Sequence, residues 1–117
     1  DADFTNCEEI ITKICQDVLA NGLEQGICLN VNFPVGEIKG VKVCHQAKAY
    51  WEEEFVEYKT PHGEPYYWLS GTYHCLDNSP KADYLAMQQS YASLVPMQVD
   101  FTAYKVMEEI KNRFEKC

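Results

Sequence analysis

Apolar positions recur every three or four residues at the two ends of the chain and mostly every second residue in between. Near the start, Ile10, Ile11, Ile14, Val18 and Leu19 form one stripe in TNCEEIITKICQDVLANG, a spacing that predicts an amphipathic helix. Thr5 or Asn6 can cap it, since each is followed three residues later by a glutamate, Glu8 or Glu9. Asn21-Gly22 supplies residues that accept the left-handed geometry ending a helix. The next run, ICLNVNFP at 27–34, alternates leucine, valine and phenylalanine with Asn30 and Asn32. It reads as a strand with one apolar face and a pair of amides on the other. A helix leading into such a strand is half of a βαβ unit, and the strand expected before the helix is absent from the chain.

The middle of the chain is richer in aromatics. GVKVCHQA at 40–47 predicts a second strand. YWEEEFVEYKT at 50–60 combines strand-forming aromatics with Glu52, Glu53, Glu54 and Glu57. PHGEP at 61–65 has turn chemistry, and YYWLSGTY at 66–73 is strand again. Together these predict a long hairpin over about 50–73. A two-stranded ribbon is marginal in water by itself, so Trp51, Phe55, Tyr67 and Trp68 need a surface to meet. That surface is either the chain's own core or another subunit. A short helix at 84–89 and an apolar strand, YASLVPM at 91–97, follow a loop. The tail, DFTAYKVMEEIKNRFEK, predicts a helix over about 102–116. Asp100 or Thr102 would cap it, and Ala103, Val106, Met107, Ile110 and Phe114 would line one side.

Composition narrows the partners. The 117 residues fit one domain. A formal net charge of -8 and a pI near 4.7 argue against a nucleic-acid polymer or an anionic membrane as partner. No apolar run approaches the ~20 residues that span a bilayer, and no signal peptide is visible. Cysteines stand at 7, 15, 28, 44, 75 and 117 with no C-x-x-C pair. This scatter points to free thiols in a reducing compartment, hence the cytoplasm.

Catalytic patterns are missing. No G-x-S-x-G, Walker loop or G-x-G-x-x-G occurs. His74, Cys75, Asp77 and Asp83 could be imagined as metal ligands, but zinc sites show tighter paired spacing. His62 in the turn reads as solvated. Ser93 lies in an apolar strand with no evident base beside it. No catalytic, cofactor or metal residue is assigned.

Taken in order, LNVNFP, IKGVKVC, PYYWLSG, ADYLAM, YASLVPM and VDFTAY resemble the C-terminal half of the SurE family, the survival-protein nucleotidases also described as acid phosphatases. The resemblance runs from about Phe4 to Glu115. Two positions depart from the family pattern. Ser90 stands where glycine is usual, replacing the residue that most readily takes a left-handed turn. Val95 stands where threonine is usual, removing a hydroxyl.

The resemblance implies the C-terminal part of a Rossmann-type α/β fold: a mixed sheet, a projecting β-hairpin and a C-terminal helix. It also implies a metal-dependent 5′(3′)-nucleotidase or acid phosphatase that hydrolyses nucleoside monophosphates. A divalent ion, magnesium or manganese, would neutralise the phosphate and activate water. The family holds that ion on an Asp-Asp pair, a serine and an asparagine of its N-terminal half, and no NDDG occurs here. The chain is therefore expected to be one C-terminal portion, 1–117, of a larger enzyme, inactive by itself. It would be cut before the first helix, which explains the missing strand and the start at Asp1.

The resemblance further implies a homo-oligomer, a dimer or tetramer. The hairpin would build it through Trp51, Phe55, Tyr67 and Trp68. The tail helix would be exchanged through Val106, Met107, Ile110 and Phe114. Asn30 and Asn32 would hold loops by side-chain to backbone hydrogen bonds, with direct contact to a ligand as the alternative. The alternatives are a stand-alone, non-catalytic assembly module and a small-ligand binding domain that uses the aromatic hairpin.

Overall fold

The computed structural model describes residues 4–53 and 55–115. Asp1, Glu54, Cys117 and Lys116, the last residue expected of the tail helix, lie outside them. A 3-10 turn, Thr5–Cys7, leads into α1, Glu8–Asn21. The strands are β1 (Ile27–Asn32), β2 (Val41–Val43), β3 (Ala49–Glu52), β4 (Phe55–Lys59), β5 (Pro65–Leu69), β6 (Thr72–Cys75) and β7 (Ala92–Gln98). Between the last two lies α2 (Asp83–Gln88), and α3 (Tyr104–Phe114) ends the described chain.

Neither Thr5 nor Asn6 caps α1. The 3-10 turn pushes the helix start on to Glu8, Cys7 takes the cap position without a side-chain bond, and Asn6 Nδ2 instead donates to the Gly36 carbonyl at 3.2 Å. Glu8 and Glu9 in the first turn still complement the helix dipole. Gly22, with φ 73, closes the helix through its N–H to the Val18 carbonyl at 2.8 Å.

The sheet runs β1-β7-β2. Central β7 is antiparallel to β1, from Ile27↔Gln98 to Asn32↔Ser93. It is parallel to β2, from Val41↔Ala92 to Val43↔Leu94. β2 is shorter than its sequence predicts. His45 leaves the ladder to bridge Ala82, donating its N–H to Lys81 O and accepting from Asp83 N, both at 3.0 Å. This shortness also explains a proline in a central strand. Ala92 N bonds Gly40 O and Cys44 N bonds Leu94 O, so even-numbered residues of β7 face β2. Pro96 belongs to that set but lies past the end of β2, where its missing N–H breaks no ladder bond.

The two faces of β1 differ as its alternation predicts. Ile27, Leu29 and Val31 are half-buried, while Cys28, Asn30 and Asn32 are exposed. On the latter side α2 covers β7. Ala82 and Ala86 are fully buried, and their small side chains let α2 approach closely. Cys44, Ala86 and Val95 form the core there, with Tyr91 and Met97 packed against it.

β3 pairs with β6, and β4 pairs with β5, both antiparallel. The two ladders share one register, so they are a single hairpin with an interruption rather than two. At the break, Glu53 and Gly71 take positive φ values of 57 and 116. The tip is closed by Thr60 N to Glu64 O at 2.8 Å and Gly63 N to Thr60 O at 2.9 Å.

α3 starts at Tyr104, later than predicted, because Asp100 is spent on a turn before it. Its Oδ1 accepts from Thr102 N at 2.8 Å and its Oδ2 from the Tyr104 hydroxyl. Hairpin and tail leave the chain extended. Its radius of gyration is 20.1 Å, against about 13 Å for a compact chain of similar length.

Candidate functional site

The hairpin arm carries its aromatics on both faces. Cross-strand pairing sets Phe55 opposite Leu69 and Tyr67 opposite Glu57 on one side. Trp68 opposite Val56 and Tyr66 opposite Tyr58 lie on the other. The residues expected to act as one patch are therefore divided between two. Both patches are open: Phe55 is 63% exposed and Trp68 64%. Tyr58 and Tyr66 stack at 5.7 Å, and Tyr67 donates to Glu57 Oε2 at 3.3 Å. Trp51, at the base, meets Tyr73 edge-on at 5.4 Å. On α3, Val106, Met107, Ile110 and Phe114 line one open groove together with Ala103.

The imagined metal ligands do not converge. His74 stacks on Tyr50 at 5.0 Å, and its Nε2 lies 3.0 Å from Glu52 Oε2 but out of line for a hydrogen bond. Cys75 Sγ donates to the Asp77 carbonyl at 3.5 Å. Asp77 faces His45, Oδ2 to Nε2 2.9 Å, and accepts from Ser79 N at 2.8 Å. The Ser79 amide first, then His45, hold its carboxyl below the usual range. Among the described residues, no group of three or more His, Cys, Asp or Glu is placed to hold a metal ion. The described residues therefore do not fit the divalent ion that the resemblance implies.

A different site forms where the arm's base, α2 and the polar face of the sheet meet. Asn32, Tyr73, Asp83, Tyr84, Met87 and Ser93 line a cavity of about 170 Å³. The cross-strand pair Asn32↔Ser93 forms one side. Asp83 is fixed at the start of α2, where its Oδ1 accepts from Ala47 N at 2.9 Å and Tyr84 N at 2.7 Å. The Tyr73 and Tyr84 rings lie 4.9 Å apart, tilted by 47°. Burial, then the neighbouring Cys75, Asp83 and Tyr84, push the Tyr73 phenol up, so at neutral pH it carries its proton. Ser93 is fully buried and its Oγ has no hydrogen-bond partner. Such a group costs about 1–3 kcal/mol when left unmet.

Sequence reasoning missed this site. Ser93 is unremarkable in an apolar strand, and Asp83 enters only as a doubtful metal ligand. The asparagines do not tie down loops as expected. Both lie on the exposed face, and Asn32 Nδ2 donates to Asn30 Oδ1 at 3.4 Å. Two amides on one face of an otherwise apolar strand were the available signal. What they border became visible only once α2 and the arm were placed.

A family model for Survival protein SurE matches residues 1–53. The chain is 44% identical over 114 residues to the 5′-nucleotidase SurE of Flavobacterium psychrophilum, covering 95% of this chain and 44% of that protein. It is likewise 44% identical to the enzyme of the same name from Flavobacterium johnsoniae, over 93% of this chain and 43% of the other. The SurE protein of Aquifex aeolicus superposes with a TM-score of 0.69 at 33% identity, over 97% of this chain and 47% of the crystallised one.

Over nearly its whole length the chain is similar to SurE proteins.

It spans less than half the length of the SurE relatives it matches. Its two departures from the SurE pattern have clear structural outcomes. Ser90 keeps the left-handed turn, with φ 65, between α2 and β7, where it accepts from Lys39 N at 2.8 Å. Val95 is 4% exposed and belongs to the core under α2, so the methyl group in place of a hydroxyl spares that core a buried donor.

Proposed function

We propose that the chain is the C-terminal, assembly-bearing portion of a SurE-type phosphomonoesterase, a 5′(3′)-nucleotidase or acid phosphatase acting on nucleoside monophosphates. The observation that carries this is the 44% identity, over 95% of this chain, to a protein named 5′-nucleotidase SurE of which it spans 44%. The hydrolytic metal, magnesium or manganese, would be held by the length of the relatives that this chain does not cover. The chain's own contribution would include the assembly of subunits. The arm offers apolar patches on both faces, which suits a ribbon clamped between two neighbours in a dimer or tetramer. The groove along α3 offers a second contact. A charge of -8 disfavours a nucleic-acid polymer as partner. Among the described residues no helix is long and apolar enough to cross a membrane. Cys7, Cys15, Cys28, Cys44 and Cys75 are free thiols, which supports a cytoplasmic setting.

The test compares the full-length protein with residues 1–117 alone, each assayed on several nucleoside monophosphates with added magnesium or manganese. Hydrolysis by the former only is expected. Turnover by the 117 residues that survives repurification would overturn the division of labour, and no hydrolysis by the full-length protein would overturn the reading.

A further inference from the structure

We infer that the cavity between Asn32, Asp83, Ser93 and the Tyr73–Tyr84 pair is a recognition site for an amino-bearing nucleobase. The inference rests on the nucleotidase reading and adds to it where the base of the substrate is held.

Size comes first. A cavity of about 170 Å³, open to solvent, compares with the roughly 150 Å³ that accommodates a benzene ring in a protein interior, so one aromatic ring fits. The walls come second. Two tyrosine rings 4.9 Å apart and tilted offer flat apolar surface of the kind on which bases stack. The polar groups come third. Asp83 spends Oδ1 on two backbone N–H groups, which fixes the carboxylate and leaves Oδ2 without a hydrogen-bond partner among the described residues. A carboxylate oxygen accepts, and the exocyclic amine of cytosine or adenine donates. The Asn32 amide both donates and accepts, which suits the ring nitrogen or carbonyl beside such an amine. Ser93 Oγ is an independent sign. It is a fully buried hydroxyl without a partner on the lining of the cavity, where native structures ordinarily satisfy such groups.

Cytidine and uridine separate this proposal from generic ring binding, because they differ at the amine that Asp83 would accept. Calorimetry on the full-length protein is expected to show cytidine bound about tenfold more tightly than uridine. Asp83→Asn keeps the Oδ1 acceptor for both backbone bonds and turns the other oxygen into a donor, so it should abolish or reverse that preference. Asn32→Ala, on the exposed face of β1, should weaken both nucleosides several-fold. It carries the test if Asp83→Asn lowers the melting temperature. Hydrolysis by the parent protein of glycerol 2-phosphate, which has no ring, reports the phosphatase reading separately from the site. Cytidine binding that is unaltered in both variants overturns the site, as does phosphatase activity with no nucleoside binding. Loss of cytidine binding in the variants of a protein that hydrolyses no phosphomonoester would keep the site and overturn the nucleotidase reading alone.

Discussion

Gly71 passes so close to Glu52 that a β-carbon at residue 71 would lie 2.7 Å from the Glu52 carbonyl oxygen. Its φ of 116 is a conformation that side chains rarely adopt. The break in the arm therefore depends on glycine at this position. Gly71→Ala should destabilise the arm by about 1–3 kcal/mol. Hydrogen exchange would show faster amide exchange in β3 to β6 while β1, β2 and β7 stay protected. Equal protection across the arm in variant and parent would show that the close approach yields easily.

Replacing Trp51 and Phe55 together by serine should split the assembly and leave the circular dichroism nearly unchanged. Phe55 is exposed on one face of the arm and Trp51, which meets Tyr73 edge-on, is 53% exposed, so truncating them removes little internal packing. Light scattering gives the mass. A parent that is monomeric, or a variant that unfolds, would show these residues to be core instead.

Asp100 sets a pH dependence at the start of α3. Bonds from the Thr102 side chain, the Tyr104 hydroxyl and the Thr102 amide, in that order, hold its carboxyl down at about 2. A carboxylate depressed on folding stabilises the turn above its unfolded value, near 3.9. That contribution is lost as pH falls through the folded value. The turn is thus insensitive to pH from neutrality to about 4 and loosens between about 4 and 2. Carbon-detected NMR titration of the Asp100 carboxyl, with the Tyr104 amide as reporter, checks this. A midpoint near 4 would contradict it.

Ser90→Gly should stabilise the protein by roughly 0.5–1 kcal/mol. A left-handed residue other than glycine costs about 1–2 kcal/mol, and glycine returns part of the gain through unfolded-state entropy. Ser90 has φ 65 and accepts from Lys39 through its carbonyl, a bond that glycine retains. Urea denaturation of parent and variant measures the difference, and a destabilised variant would mean that the serine side chain contributes something the backbone does not.

How far the sequence reveals the molecule varies with the length over which a pattern repeats. α1, β1, β7 and α3 follow from periodicity within a few residues, because each buries or exposes whole stripes. β2 is misjudged. GVKVCHQA alternates well past Val43, yet His45 turns away to bond Lys81 and Asp83, partners far along the chain that local pattern cannot announce. The arm's interruption is hidden in the same way, since Glu53 and Gly71 matter through their mutual approach. Caps fail for a related reason. Asn6 and Asp100 are good capping residues, but Gly36 and Tyr104 offer them other bonds. The candidate cavity is least legible, because it draws one residue each from β1, β6 and β7 and joins them to three from α2.

The arm also fixes an order of events during folding. Glu57 and Tyr67 are ten residues apart in sequence, whereas Lys42 and Gln89, which tie β2 to the end of α2, are separated by 47. Short loops close sooner, so a ribbon of this span zips in microseconds while distant strands are still searching for one another. A nascent chain therefore samples the paired ribbon, marginal as it is alone, before it has a core to hold it. Its bare edges are templates for unwanted strand addition. Glu57, Lys59 and Glu64 place charge near the tip, which deters such stacking until the proper neighbours arrive.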